Sequence, residues 1–225
     1  YESSMSIVVL AALLTLRHRI TQTGANSLEA YFQPRMLAFA LGAWAIAMYL
    51  RGRGAAALAL VAFAFALHPT TTLWFGVWIV AALAISERSW RAPLVLLGIA
   101  GAAVAAWAVT AGPLQGRLAP MDPVWASALA GKDYILPSDW NASFWLVNFA
   151  YLAVVAALFQ IRRRRALTVP REGALIAGSC ALVVVFLISW PLMLARVALA
   201  VQLQTSRIFW MLDFLAANRI EGDVW

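Results

Sequence analysis

Four places in this 225-residue chain carry side chains able to do chemistry. The first is Leu67-His68-Pro69-Thr70-Thr71-Thr72, where an imidazole that donates, accepts or changes charge near neutral pH stands beside three hydroxyls. Threonines at that position also serve simply to cap a helix. The second is Gln202, Gln204 and Arg207. An arginine offers a planar fork of donors that matches phosphate or carboxylate in a bidentate way, and these three polar residues together could line a binding pocket for an anion. The third is Asp122, within a long connection that also carries Asp133, Asp139, Lys132 and several rings. Carboxylates next to aromatic rings suit carbohydrate, by hydrogen bonds to hydroxyls and apolar contact with the sugar face, and they equally suit an ordinary structured loop. The fourth is Glu29, the only acid of the segment Ser27 to Arg35 and a candidate general base.

What must position these groups is a set of apolar helices. Hydrophobic residues make up 64% of the chain and charged residues 12%, with a mean hydropathy of +0.80. That is too little polar side chain to clothe a water-soluble surface. A hydrocarbon core of roughly 30 Å needs about 20 helical residues, and Ala92 to Ala111 and Gly173 to Ala195 meet that without a charge. The expected fold is therefore all-α: a polytopic transmembrane bundle of about seven or eight spans in a single domain over 1–225, with one ordered extracytoplasmic loop at about 112–143. The chain starts at Tyr1 with a first apolar run, Met5 to Leu16, too short to span comfortably, which reads as a piece of a longer protein.

The net charge of +7 raises nucleic acid as a partner, but the arginines sit at the ends of apolar runs rather than on a polar face. They read as topology signals, and the partner expected instead is the lipid bilayer. Arg51 with Arg53, Arg88 with Arg91, and Arg162 to Arg165 with Arg171 mark cytoplasmic turns. Between them fall the turn at His68 to Thr72 and the loop Gly112 to Ser143, which places spans at about 36–50, 55–68, 72–86, 92–111, 144–160 and 173–195, alternating in direction. The stretch Val197 to Ala217 reads either as a polar eighth span or as an amphipathic helix at the outer surface. Trp90, Trp125, Trp140, Trp145, Tyr134 and Tyr151 fall near span ends, where such rings anchor at the interface. Gly98, Gly101, Ala102 and Ala105 give the 92–111 span a small-residue surface, expected to be enclosed by neighbouring helices. Cys180 stands alone inside an apolar run, so no disulfide, redox pair or cysteine metal cluster is expected, and the residues imply no particular cofactor.

Tyr31-Phe32-Gln33-Pro34-Arg35-Met36, a span, a short arginine turn, a second span ending in His68-Pro69, and the later loop from Asp122-Pro123-Val124-Trp125 to Trp140 resemble bacterial polytopic glycosyltransferases of the GT-C class. The likeness covers most of the chain at the level of layout. It implies residence in the bacterial inner membrane, a polyprenyl-phosphate-linked sugar as donor, an active site on the outer face, and a carboxylate of the first outer loop as base or metal ligand. Of the paired acids such a loop carries, only Glu29 stands here. On that resemblance Glu29 or Asp122 would deprotonate the acceptor hydroxyl, Arg207 would clamp the departing lipid phosphate, and His68 and Gln204 would line the pocket.

Two other classes fit the same composition. A transporter or flippase would use intramembrane polar groups as a pathway and would show inverted halves or broken spans, neither of which is visible in the sequence. A membrane scaffold would only tolerate those groups. An acidic pair upstream of Tyr1, after a first complete span, would favour the enzyme.

Overall fold

The computed structural model describes residues 33–129, 132 and 135–222, with side chains to residue 217. Glu29, Asp133, Tyr134 and the apolar run Met5 to Leu16 lie outside the described residues.

The described residues form helices α1 (Pro34–Leu50), α2 (Gly54–Leu67), α3 (Pro69–Ser86), α4 (Arg88–Thr110), the short α5 (Pro123–Leu129), α6 (Ala142–Arg164), α7 (Glu172–Leu194), α8 (Ala198–Leu203) and α9 (Ile208–Gly222). Among them α3, α4, α6 and α7 are long and apolar enough to cross a membrane, so the chain is a helical integral membrane protein. The 17 residues of α1 and 14 of α2 rise about 25 and 21 Å, short of a full hydrocarbon core.

Local sequence sets the helix ends. Pro34 and Pro69 open α1 and α3 as first-turn prolines. Gly52, at φ +78°, makes the tight turn between α1 and α2. Arg91 Nε donates to the Ala84 carbonyl near the end of α3, and Arg162, Arg163 and Arg164 occupy the last turn of α6, where cations suit the helix dipole.

The arginine-bearing turns gather at one end of the bundle, as their alternation predicts. Arg171 bridges to Glu87 at 2.9 Å, beside the Gly52 turn, and Arg162 pairs with the fully buried Glu172 at 3.2 Å. Glu172 also accepts from the Val169 N–H at 2.9 Å. The Tyr49 hydroxyl donates to the carbonyls of Ala82 or Arg171. In lipid there is little hydrophobic drive between helices, so close packing and hydrogen bonds hold them. Accordingly α3 lies tightly on α7: Gly178 faces the backbone of Trp78 and Ala82, and Trp78 donates its indole N–H to the Leu175 carbonyl at 2.7 Å.

Three expectations are corrected. The stretch after residue 197 is neither one continuous span nor a surface helix. It breaks between α8 and α9 at Gln204, which takes a left-handed conformation (φ +48°), and a 3-10 turn, Thr205–Arg207, leads into α9. Helix α9 is then buried almost all round, from Ile208 to Ala217, against α6, α7 and α3. Helix α4, expected to be enclosed, has only Leu94 and Ala108 buried, and a Cβ built on Gly98 or Gly101 meets nothing within 4 Å among the described residues. Small side chains permit close packing without compelling it. Finally, Trp140 and Tyr151 are core residues rather than surface anchors: Trp140 stacks on Phe186 at 5.9 Å, and both residues are buried.

Candidate functional site

The end of the bundle opposite the arginine turns is where α1, α3 and α9 begin, and their N-termini give it its chemistry. Each unpaired first-turn N–H group and the summed helix dipole favour negative charge there. Arg35 sits in the first turn of α1, His68 caps α3, and Arg207 closes the 3-10 turn that leads into α9.

Pro69 holds His68 in extended conformation and out of the α2 helix, with φ −153° and ψ 90°. From there its Nδ1 accepts the Thr71 N–H at 3.2 Å and lies 3.3 Å from the Thr70 hydroxyl. Accepting at Nδ1 leaves Nε2 to carry the proton of the neutral ring. Burial pushes the imidazole pKa below its ordinary value, and the nearby Arg207 and Arg35 guanidiniums push it further the same way. His68, Arg207 and Arg35 therefore lie near one another.

Behind this cap the Thr71 and Thr72 hydroxyls are fully buried with no hydrogen-bond partner, and so is the Trp74 indole N–H. A buried hydroxyl left unsatisfied costs about 1–3 kcal/mol. Thr71 and Thr72 lie in the first turn of α3, where orphaned donors suit an anion. On the α9 side, the Thr205 hydroxyl is 2.9 Å from the Ser189 hydroxyl on α7 and 3.2 Å from the Met193 sulfur, which pins the break between α8 and α9. Arg207 is 8% exposed, so its charge is held in the protein rather than in bulk solvent.

Gln202, Gln204 and Asp122 are each placed by their own element. Gln204 is the left-handed residue of the break and Gln202 lies in α8; both are half-buried. Asp122 is exposed, and its Oδ1 accepts the Trp125 N–H at 2.8 Å to cap α5. Its loop is stitched to the head of α8: the Met121 N–H donates to the Arg196 carbonyl, the Ala198 N–H to Ala119, and the Leu199 N–H to Arg117, all within 3.0 Å. The loop is thus tied to the head of α8 and Arg207 lies past its tail, with Asp122 occupied as a cap. Glu29 lies outside the described residues.

Arg35 was legible only as the entry to a span, since cations at span ends ordinarily signal topology. The signal that could have singled it out is its position at the same end as His68 in the alternating order. Asn148 had no such signal: it lies on α6 facing the core, fully buried, with neither side-chain polar atom partnered.

Among the described residues no group of three or more His, Cys, Asp or Glu side chains could hold a metal ion. What gathers near these helix N-termini is a set of guanidinium, imidazole and hydroxyl groups. No family model, no curated protein and no solved structure matches this chain.

Proposed function

We propose that this chain binds the phosphate of a polyprenyl-phosphate-linked sugar at the Arg35–His68–Arg207 cluster and acts as a GT-C-like glycosyltransferase on the outer face of the bacterial inner membrane. The observation that supports the reading is the nearness of two guanidiniums to a capping imidazole at the start of α3, whose first turn carries two orphaned threonine hydroxyls. Sugar transfer from a lipid phosphate develops negative charge on the departing phosphate. Preformed donors aimed at that charge lower the barrier without reorganising. In this scheme Arg207 clamps the phosphate, neutral His68 donates from Nε2, and Gln202 and Gln204 line the approach. Glu29 or Asp122 takes the acceptor's proton, Asp122 being the one whose loop is tied to α8.

The test is phosphate binding by the full chain in lipid nanodiscs. Arg207→Ala should abolish it while the protein stays inserted, and Arg207→Lys should keep part of it, since a point charge replaces the fork. Unchanged binding in Arg207→Ala would remove the proposal.

A transporter or flippase is the second reading, and one observation favours it: the helix broken at Gln204. Discontinuous helices whose N-termini face an anion are a recurrent device of transporters. Sugar released to an acceptor by the purified chain supports transfer; labelled lipid moved between leaflets without chemical change supports transport.

A further inference from the structure

We propose that the cavity between α1 and α9 binds a small organic ammonium group, received by the Asp213 carboxylate and the rings of Phe39, Trp210 and Phe214. The inference goes beyond the anion reading and shares no residue with it.

Helix α9 places the carboxylate among rings. Trp210, Asp213 and Phe214 stand at i, i+3 and i+4, so the acid shares one helical face with two aromatic side chains. Phe39 of α1 meets that face: it stacks on Trp210 with ring centroids 4.1 Å apart and touches Phe214 edge-on at 5.3 Å. Helices held apart by rings leave a gap, and the gap is a cavity of about 200 Å³ lined by the three rings and Asp213. Met36, Ala40 and Ala43 complete its wall on α1.

Charge is the first feature that selects a guest. Asp213 is the only ionisable residue lining the cavity, since neither Arg35 nor Arg207 lines it. An acid at 1% exposure in a bundle of apolar helices is costly to keep, and such residues mark sites that handle charge. Asp213 has interactions within the protein as well. A carboxylate offers about four acceptor positions on its two oxygens, so an inner contact and a guest can share it.

Aromatic surface is the second. The Phe39 and Trp210 planes lie within 19° of each other and the Phe214 plane stands at 90° to Phe39, so ring surface lines the cavity from two directions. The negative face of a ring attracts cations, and quaternary ammonium ions above all. A hard metal cation wants about six oxygens, whereas this wall supplies a single carboxylate. Drug-sized ligands fill about 300 Å³ or more, so the smaller cavity suits a headgroup-sized guest. Ala40 is exposed and Met36, Phe39 and Ala43 are half-buried, so the cavity opens on the α1 side.

The experiment titrates the full chain, in dodecyl maltoside micelles free of ammonium lipids, with choline and with its neutral carbon analogue, in which a tert-butyl group replaces trimethylammonium. Choline should bind at least about tenfold more tightly than the analogue, because only the charge differs. Asp213→Asn should remove that preference, and Trp210→Leu should lower choline affinity about fivefold. Equal binding of the two probes by the unaltered chain, or no binding of choline, overturns the proposal, and neither result depends on a variant folding. A preference retained in Asp213→Asn overturns it too.

A second measurement places the guest. In a Cys180→Ala background, choline should slow alkylation of Ala43→Cys and the neutral analogue should not; a rate that choline leaves unchanged overturns the placement. Competition separates the sources of the ammonium. Displacement of choline by lysophosphatidylcholine and not by lysophosphatidylglycerol supports the site with a lipid headgroup as guest, and displacement by neither supports it with a free amine. Equal displacement by both overturns ammonium recognition.

Discussion

The Thr71 main-chain N–H donates to Nδ1 of His68 at 3.2 Å, so the imidazole caps α3 as an acceptor and is held in its neutral form by the burial and the two arginines around it. Its folded pKa lies below 6.5, the value an unfolded imidazole takes. The unfolded chain thus binds more protons than the folded one below that pH. The stability this site contributes is complete above pH 6.5 and declines as pH falls through the folded pKa. An anion between Arg35 and Arg207 reverses part of that depression, so binding should take up protons. Sulfate affinity, chosen because sulfate does not titrate here, should rise as pH drops below 6.5. His68→Gln should remove the pH dependence while the capping carbonyl oxygen keeps the helix start. A flat profile in the unaltered chain would contradict the coupling.

Thr72→Val separates ligand binding from packing. The hydroxyl is fully buried and unpartnered, so replacing it with a methyl of the same shape should stabilise the empty protein by about 1 kcal/mol. It should also weaken sulfate binding several-fold. Unfolding in mixed micelles reports the first quantity and titration the second; destabilisation of the empty protein would mean that the hydroxyl is satisfied after all.

At the arginine end the two ion pairs should differ in weight. Glu172 is fully buried with Arg162 beside it, and Glu172→Ala leaves a guanidinium without its carboxylate, at a cost of about 3 kcal/mol. Glu87 and Arg171 keep a quarter or so of their side-chain exposure, at 25% and 28%, and Glu87→Ala should cost about 1 kcal/mol or less. Comparable losses from both substitutions would show that burial is not what separates them.

Gln204 sits at φ +48°, where a side chain costs about 1 kcal/mol and glycine costs none. Gln204→Gly should therefore leave stability unchanged or raise it by up to about 1 kcal/mol. If its amide also lines the phosphate approach, affinity should fall in the same variant. Gln204→Val should destabilise through backbone strain alone.

Much of the architecture was legible because two signals coincide. Arginine clusters fall at Arg51, Arg88 and Arg162, and each follows an apolar run, so both the helices and their shared end can be read from position. Pro69 likewise marks the α2–α3 boundary and so places His68. The break at Gln204 was not legible, for neither glycine nor proline stands there to mark a left-handed turn. Nor could residue type tell the small residues of α4 apart from those that pack: Gly178 meets a neighbouring backbone and Gly98 meets nothing within 4 Å, though both lie in apolar runs. The partnership of Arg35 with His68 depends on which helices are neighbours, which a linear pattern does not carry.

Glu87 with Arg171, and Glu172 with Arg162, fasten the turns of several helices at a single end. Pulling these helices apart at that end would strand a buried carboxylate, so the arginine turns should be the last part of the bundle to separate.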